Sequence, residues 1–249
     1  MTSRARLYLF LASGAILLAA LVIALLQLPG LGDAWEGYGA LVNRLGREVT
    51  GVTNMTVAVN FGFRALDTLG EEMVLLTGVT AVALLLRGTR TGEERPEEER
   101  LRLERSQPVQ GIAPWPPLLL FTLGAYIVSY GHLTPGGGFQ GGVLIAGALL
   151  TLYLTLGFGA FSRATRPHTL EVLEGGAIAG YVVLGLIGLW REGAFLANPL
   201  PTGRVGALVS GGMIPLLDVL VGIAVAAGLA IILFEFLQEV VTPPREEER

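Results

Sequence analysis

The sequence contains no cysteine and no lysine. Without cysteine, the chain can form no disulfide and offers no thiolate for zinc, for an iron–sulfur cluster or for nucleophilic catalysis. In an assembly that contains this chain, such centres would have to lie on other subunits. Because all 17 basic residues are arginine, the lysine of a phosphate-binding loop is missing as well.

Charged residues are also scarce, at 15% of the chain, whereas hydrophobic residues make up 52% and 35 further residues are glycine. This balance is typical of an integral membrane protein. The net charge is only −4, and glutamates balance the arginines of the most charged segment. We therefore expect a lipid bilayer around the chain and no nucleic-acid partner.

The apolar segments predict an all-α integral membrane protein with about six transmembrane helices, arranged as two plus four. Since about 20 apolar residues cross a bilayer, the predicted spans are residues 7–28, 52–86, 116–134, 136–161, 170–193 and 207–239. Arg4 and Arg6 precede the first span, so the positive-inside rule predicts that both termini are cytoplasmic. No small-residue cleavage site follows the first apolar run, so we expect no removable signal peptide.

Charge and turn residues divide the chain into four predicted segments: a two-helix module at 1–87, a charged cytoplasmic linker at 88–111, a four-helix domain at 112–240 and a disordered tail at 241–249. Six Arg and six Glu lie between Arg87 and Gly111. A short helix is predicted within the linker at 97–105. Another short helix is predicted at the outer membrane surface, at 35–47.

The longest uncharged run predicts a tight membrane hairpin. Residues 112–162 contain no charge and would form a helix of roughly 77 Å, whereas the hydrocarbon core is about 30 Å thick. The run must therefore turn back, and its tip is predicted at His132, Thr134 and Pro135. We expect this tip on the external side.

The residues after the tip keep one face of the next helix nearly bare, so that another backbone can approach closely. They are Gly136, Gly137, Gly138, Phe139, Gly141 and Gly142. A phosphate-binding loop is disfavoured because no strand precedes this segment. Two interpretations stay open: a turn that serves helix packing, or a turn that also lines a polar cavity.

The string GHLTPGGGFQGG, residues 131–142, resembles the signature of the B subunit of Mrp-type multisubunit Na⁺/H⁺ antiporters. The same module occurs in the related membrane-bound hydrogenase complexes. The string SGGMIPLLDVLVGIAVAAGL, residues 210–229, resembles the last span of that subunit, and the resemblance covers residues 114–239. The family often has a lysine where this chain has Ala224, so a lysine-based proton step is in doubt.

A second informative stretch places charges inside the second predicted span. Asp67 and Glu71 are four residues apart on one helical face, and Arg64 lies one turn before Asp67, where it can pair with it. Glu72 points about 100° away from Glu71. Charge in lipid is costly and faces protein or water, so the cluster is either functional or a salt bridge at the membrane interface.

The string RALDTLGE, residues 64–71, is similar to a motif near the C-terminus of the A subunit of Mrp antiporters. In hydrogenase-type complexes that module is a small separate subunit. The resemblance therefore implies a fusion of this module with a B-type subunit, and it implies other membrane subunits of the same complex as partners.

The last two spans carry further acidic candidates. Glu174 lies one turn deeper than Glu171 in the fifth span, and Glu171 suits a helix N-terminus. In the sixth span, Pro215 is predicted to kink the helix and to leave a carbonyl free for water or an ion. Asp218 follows one turn later, and a lone acid there is a functional candidate, with a hydrogen bond to a neighbouring helix as the alternative.

By resemblance, the function is that of a non-catalytic membrane subunit of an Mrp-type cation/proton antiporter in the cell membrane. The pathway candidates are Arg64, Asp67, Glu71, His132, Thr134, Glu174 and Asp218, and the carbonyls at Pro135 and Pro215 are candidate Na⁺ ligands. No cofactor is expected on this chain, and Na⁺ is a candidate transported ion. The alternatives are a subunit of a redox-driven, hydrogenase-type complex and a purely structural scaffold. A self-sufficient carrier is disfavoured because no inverted repeat is evident.

Overall fold

A computed structural model describes residues 3–27, 36–89 and 111–241. Within these ranges every regular element is a helix: α1 (Ser3–Leu26), α2 (Glu36–Thr50), α3 (Met55–Val57, which continues as a π-helix over Ala58–Phe63), α4 (Ala65–Thr89), α5 (Trp115–Ser129), α6 (Gly138–Leu156), α7 (Phe158–Ala164), α8 (Pro167–Glu192) and α9 (Ile214–Val241). The predicted linker and its helix at 97–105 lie almost entirely outside the described residues. The predicted tail at 241–249 also lies outside them, except for Val241, which ends α9.

Among the described residues, five helices are long and apolar enough to cross a membrane, namely α1, α4, α6, α8 and α9. The α5 helix is apolar but shorter, at 15 residues. These six helices correspond to the six predicted spans, so the prediction of an all-α multi-pass membrane protein is confirmed. The orientation of the termini stays a prediction.

The chain divides into two units, residues 1–40 and 41–249. The first contains α1, whose residues 7–26 have a mean hydropathy of 2.8. The second is built around α9, which packs against α4, α6 and α8. Small side chains on α9 allow this close packing, since Ala224, Ala227 and Ala230 are all buried. As a result α9 is buried along 61% of its apolar stretch, compared with 17–33% for α4, α6 and α8.

The second predicted span, 52–86, is wrong at its N-terminal boundary. The membrane helix α4 begins at Ala65, and residues 55–63 form a separate short helix that ends in six π-helical residues. Arg64 separates the two helices, with φ −131° and ψ 36°. Thr68 stabilises the break, since its hydroxyl donates to the carbonyl of Asn60 at 2.8 Å.

The sixth predicted span, 207–239, is also wrong at its start, and Pro215 does not kink it. The α9 helix begins at Ile214, so Pro215 lies in the first turn. A proline is tolerated there because the first amides of a helix have no intrahelical acceptor. Asp218 consequently lies near the start of α9 rather than in the middle of a span.

The α2 helix corresponds to the surface helix predicted at 35–47. It buries Val42, Gly46 and Thr50, which are four residues apart and therefore share one face. Close packing explains the glycine, since a Cβ at Gly46 would lie 2.9 Å from the sulfur of Met55. The α2 helix is thus amphipathic and lies against α3.

The predicted hairpin consists of α5, a turn at residues 130–137, and α6. Gly136 and Gly137 have φ values of 130° and 144°, which side chains strongly disfavour. A Cβ on Gly141 would lie 2.7 Å from the carbonyl oxygen of Gly124 on α5. On the other side of α6, a Cβ on Gly142 would lie 2.8 Å from the carbonyl oxygen of Gly222 on α9. Glycine therefore brings three backbones close together.

Candidate functional site

In the described part of the second unit, four acidic side chains are buried: Glu72, Glu174, Asp218 and Glu235, exposed by 1%, 4%, 1% and 1%. Glu72 is on α4, Glu174 on α8, and the other two near opposite ends of α9. Burying a carboxylate is expensive unless it is paired, hydrogen-bonded or protonated. The surroundings of each residue therefore indicate its chemistry.

Glu72 and Glu174 have few polar neighbours. Both carboxylate oxygens of Glu72 and Oε1 of Glu174 are buried and have no hydrogen-bond partner among the described residues. Glu174 is near enough for its charge to act on Glu72. Gly228 on α9 makes room for Glu174, because a Cβ there would lie 2.7 Å from Oε1 of Glu174.

An arginine connects the last turns of α4 and α9 to the first turns of α8. Nε of Arg87 donates to Glu235 at 2.7 Å, and its Nη1 donates to Glu171 at 2.6 Å. The side chains of Arg87 and Glu171 are 41% and 42% exposed, so this cluster reaches the surface. Glu171 lies one turn from Glu174, and the charge of Glu171 acts on the Glu174 carboxyl group. We call Arg87, Glu171 and Glu235 the surface cluster.

The opposite side of Glu72 is bounded by Tyr181. The charge of Glu72 acts on this phenol, whose hydroxyl donates to the carbonyl of Ala65 at 2.9 Å. Its ring packs against Phe61 in the π-helix, with centroids 6.4 Å apart. Tyr181 lies two turns after Glu174 on α8, so these acids and the phenol follow the interior from the surface cluster toward the start of α4.

Asp218 belongs to a different environment, at the hairpin. Its Oδ1 accepts the amide of Gly138, the first residue of α6, at 2.7 Å, which suits a negative charge at a helix N-terminus. Its Oδ2 is buried without a partner among the described residues. Gly131 and Gly137 make room for the carboxylate, and a Cβ on Gly137 would lie 3.2 Å from Oδ1.

The carbonyls expected to be free at the two prolines are occupied, which corrects the prediction of available ion ligands. Pro135 cannot donate to Gly131, and Nδ2 of Asn54 donates to that carbonyl at 2.8 Å. Pro215 cannot donate to Gly211, and Nδ2 of Asn198 donates there at 2.9 Å. A backbone acceptor left by proline needs another donor, and each asparagine supplies one.

Asn54 also holds the rest of the hairpin tip. Its Nδ2 lies 2.9 Å from the carbonyl oxygen of Thr134 and 3.0 Å from that of Gly136. The hydroxyl of Thr53 donates to the carbonyl of Leu133 at 2.6 Å. Beside these bonds lies a cavity of about 320 Å³ lined by both segments. The turn thus serves packing and lines a polar cavity at once.

The two other predicted residues of the tip have different surroundings. His132 is buried, with Nε2 3.1 Å from the carbonyl oxygen of Leu208, while Nδ1 has no partner among the described residues. Thr134 is half-buried, and its hydroxyl donates to the carbonyl of Tyr130 at 3.1 Å. His132 therefore contacts the segment before α9, and Thr134 lines the cavity.

The predicted face of Arg64, Asp67 and Glu71 lies apart from the buried acids. Arg64 pairs with Asp67 at 2.5 Å, with side chains 59% and 52% exposed. Glu71 is exposed as well. With Leu66, Gly70 and Val74, these three residues line an open groove on α4. The structure thus groups the three as predicted but places them on the outside of the chain.

Sequence reasoning did not select four residues that the structure makes important: Glu72, Glu235, Asn54 and Asn198. Glu72 was visible as a charge next to Glu71, but which of two consecutive acids faces inward depends on the rotation of α4. The two asparagines lie 77 and 13 residues from the carbonyls they bind, so only the fold shows these pairings. From the sequence, Glu235 would be placed at a solvated helix end. The structure shows that it is buried and paired with Arg87.

Residues 108–231 match a protein family described as a domain related to the MnhB subunit of Na⁺/H⁺ antiporters. An uncharacterized protein of Methanocaldococcus jannaschii is 34% identical over 203 residues, which cover 72% of this chain and 75% of that protein. A probable A/B subunit of a K⁺/H⁺ antiporter from Rhizobium meliloti is 28% identical over 153 residues, which cover 51% of this chain and 15% of that protein.

Chains of two solved membrane complexes share the fold. One belongs to the membrane-bound sulfane sulfur reductase, an archaeal respiratory membrane complex; its TM-score is 0.68 at 32% identity, with 96% of this chain and 99% of that chain covered. The other belongs to the Mrp complex from Dietzia sp.; its TM-score is 0.65 at 23% identity, with 100% of this chain and 27% of that longer chain covered. With its hairpin and most of its last helix inside the family match, the chain belongs to the family of membrane proteins related to the MnhB subunit of Na⁺/H⁺ antiporters.

Proposed function

We propose that this chain is a membrane subunit of an Mrp-type multisubunit cation/proton antiporter and contributes to sodium/proton translocation. The observation that carries the proposal is the family match at 108–231, because it contains two of the buried carboxylates, Glu174 and Asp218. Ionisable groups inside a membrane mark ion or proton pathways by default. The complex is proposed to lie in the cytoplasmic membrane.

The proposed role is non-catalytic and needs no cofactor on this chain. The chain has no cysteine to ligate an iron–sulfur cluster, so any such cluster in a parent complex would belong to other subunits. Carboxylates follow one another from Glu72 through Glu174 to the surface cluster. This series supports a role of the chain in moving protons or cations. The carboxylates provide protonatable oxygens along the interior of the helix bundle.

A redox-driven complex is the second candidate. It is favoured by the similarity to a chain of an archaeal respiratory membrane complex, which reaches 32% identity over 96% of this chain. That coverage includes the N-terminal helices, which lie before the family match. In this alternative the same membrane subunit would work beside subunits that carry the redox centres.

The groove on α4 supports the presence of partner subunits. Arg64, Asp67 and Glu71 are exposed on a helix that is apolar enough to cross a membrane, and charge facing lipid is costly. We propose that a helix of another membrane subunit covers this groove. The three residues carry a net charge of −1, so a basic side chain facing Glu71 would complement them.

The test is to purify the complex through a tag on the full chain, identify its subunits by mass spectrometry, and reconstitute it in vesicles. We expect other antiporter subunits to copurify and added Na⁺ to drive proton movement. Asp67→Asn leaves Arg64 without its partner and should lower the yield of complex. Glu71→Gln should give a normal yield and reduced flux if Glu71 belongs to the pathway.

Two results would reject the antiporter. Recovery of the chain with iron–sulfur subunits, and proton flux that requires an electron donor, would establish the redox-driven alternative. Recovery of the chain alone, without cation-dependent proton flux, would contradict both candidates. A normal yield and flux in both variants would show that the α4 groove is neither a partner surface nor a pathway.

A further inference from the structure

We propose that Glu72 and Glu174 form a two-carboxylate site that holds a proton in the interior of the chain. The inference rests on the proposed function, since a proton site in the membrane has a use in a proton-translocating complex. It adds a residue, Glu72, that lies outside the family match at 108–231. It also names the ligand of this site as a proton rather than a sodium ion.

Burial and missing partners carry the argument. Glu72 is 1% exposed and Glu174 is 4% exposed, and three of their four carboxylate oxygens have no hydrogen-bond partner among the described residues. Two like charges in such a place repel each other and also lack hydration. Binding one proton to the pair removes one of the two charges and so ends their mutual repulsion.

The backbone around the pair favours a proton over sodium. Sodium sites within membranes take carbonyl ligands from unwound helix segments. Here Glu72, Glu174 and Gly228 lie within the continuous helices α4, α8 and α9, whose carbonyls are used by helical hydrogen bonds. In the part of the chain that the structure describes, no group of three or more acidic or histidine side chains could hold a metal ion.

Charged and titratable groups surround the pair, and those next to Glu174 reach the surface. Glu71 acts on Glu72 from α4, Tyr181 faces Glu72 from α8, and Glu171 acts on Glu174. Glu171 is held by Arg87, which also holds Glu235 of α9. Because Arg87 and Glu171 are partly exposed, we assign the surface cluster as the side from which the proton reaches Glu174 first.

The experiment uses the purified parent complex and the carboxyl reagent dicyclohexylcarbodiimide, an apolar compound that reacts with protonated acids in apolar surroundings. Modified peptides are identified by mass spectrometry over a series of pH values, with and without saturating Na⁺. We expect modification of Glu72 or Glu174 that falls about tenfold per pH unit once the pair is mostly ionised. Added Na⁺ should not protect the pair.

Two matched comparisons separate a shared proton from simple burial. Glu72→Gln should move the labelling of Glu174 to lower pH, because it removes the like charge that opposes ionisation of Glu174. Glu192 lies at the exposed C-terminal end of α8, the helix that carries Glu174. Glu192→Gln should leave the pH profile of labelling unchanged. Gly228→Ala should disturb labelling because its methyl would press on Glu174, whereas Gly175→Ala has open space around it.

Protection by Na⁺ would overturn the proposal in favour of a sodium site. If no label appears, infrared spectra of the parent and Glu72→Gln decide: loss of a carboxylic acid C=O band supports the proton, and identical spectra overturn it. Labelling needs no transport, so a complex that is labelled but shows no cation-dependent flux would reject only the antiporter function. A complex that transports but has no protonated pair would reject only this inference.

Discussion

Individual residues show how the chain compensates for proline. Pro135 and Pro215 each remove one backbone donor, and in each case the carbonyl four residues earlier accepts from an asparagine amide. The two asparagines are far from their prolines in sequence, so their pairing depends on the fold. The hydrogen bonds of Asn54 join the segment before α3 to the hairpin turn, which lies within the family match.

Replacing Asn54 with alanine should destabilise the second unit by about 1–3 kcal/mol, because buried carbonyls lose their donor. The measurement is thermal unfolding of the purified complex in detergent, compared with Gln140→Ala. Gln140 lines the same cavity and is exposed, so its loss should have little effect. Equal midpoints for the two variants would show that Asn54 does not hold the hairpin.

At the scale of helices, packing is governed by where glycine occurs. The α6 helix meets α5 through Gly141 and meets α9 through Gly138 and Gly142. On the same helix, a Cβ added to Gly147 would have nothing within 4 Å. Small residues let helices in a membrane approach closely, and these contacts explain why the segment after the turn is almost bare of side chains.

This difference makes a matched pair of variants. Gly142→Ala would bring a methyl group within 2.8 Å of the carbonyl of Gly222 and should cost about 1–3 kcal/mol, as overpacking does. Gly147→Ala should be neutral or slightly stabilising, since alanine favours the helix. Unfolding midpoints and the yield of intact complex measure both effects. A stable Gly142→Ala complex would contradict the tight α6–α9 contact.

For the whole molecule, contacts in the second unit decide which helix ends share a side. Arg87 lies in the last turn of α4. It contacts the start of α8 and the end of α9, so these three helix ends lie together. Asn54, the hairpin tip and the start of α9 lie together at the other end. Which of the two sides faces the cytoplasm follows from the positive-inside rule and is still a prediction.

Single cysteines can test the orientation, since the chain has none of its own. Thr134→Cys should react with a membrane-impermeant maleimide added outside intact cells. Arg163→Cys, exposed near the opposite ends of the helices, should react only after the membrane is opened. The reverse pattern would invert the predicted topology while leaving the fold unchanged.

The sequence by itself determined the fold class, the hairpin and the number of membrane helices, because these depend on local composition. A long uncharged run must cross and return, and a glycine-rich turn next to proline indicates where it does so. The same residues carried the resemblance that the family match confirms. Helix starts were less predictable, since the uncharged residues 52–63 and 207–213 suit a short helix or loop as well as a span.

Tertiary structure decided which acids are inside. Glu71 and Glu72 are adjacent in sequence, yet one is exposed and the other is 1% exposed, because successive residues point about 100° apart on a helix. Which direction is interior depends on where α8 and α9 lie against α4. Glu235 was likewise indistinguishable from a solvated helix end until its contact with Arg87 was known. Such pairings join residues more than 100 positions apart, and local sequence patterns hold no information about them.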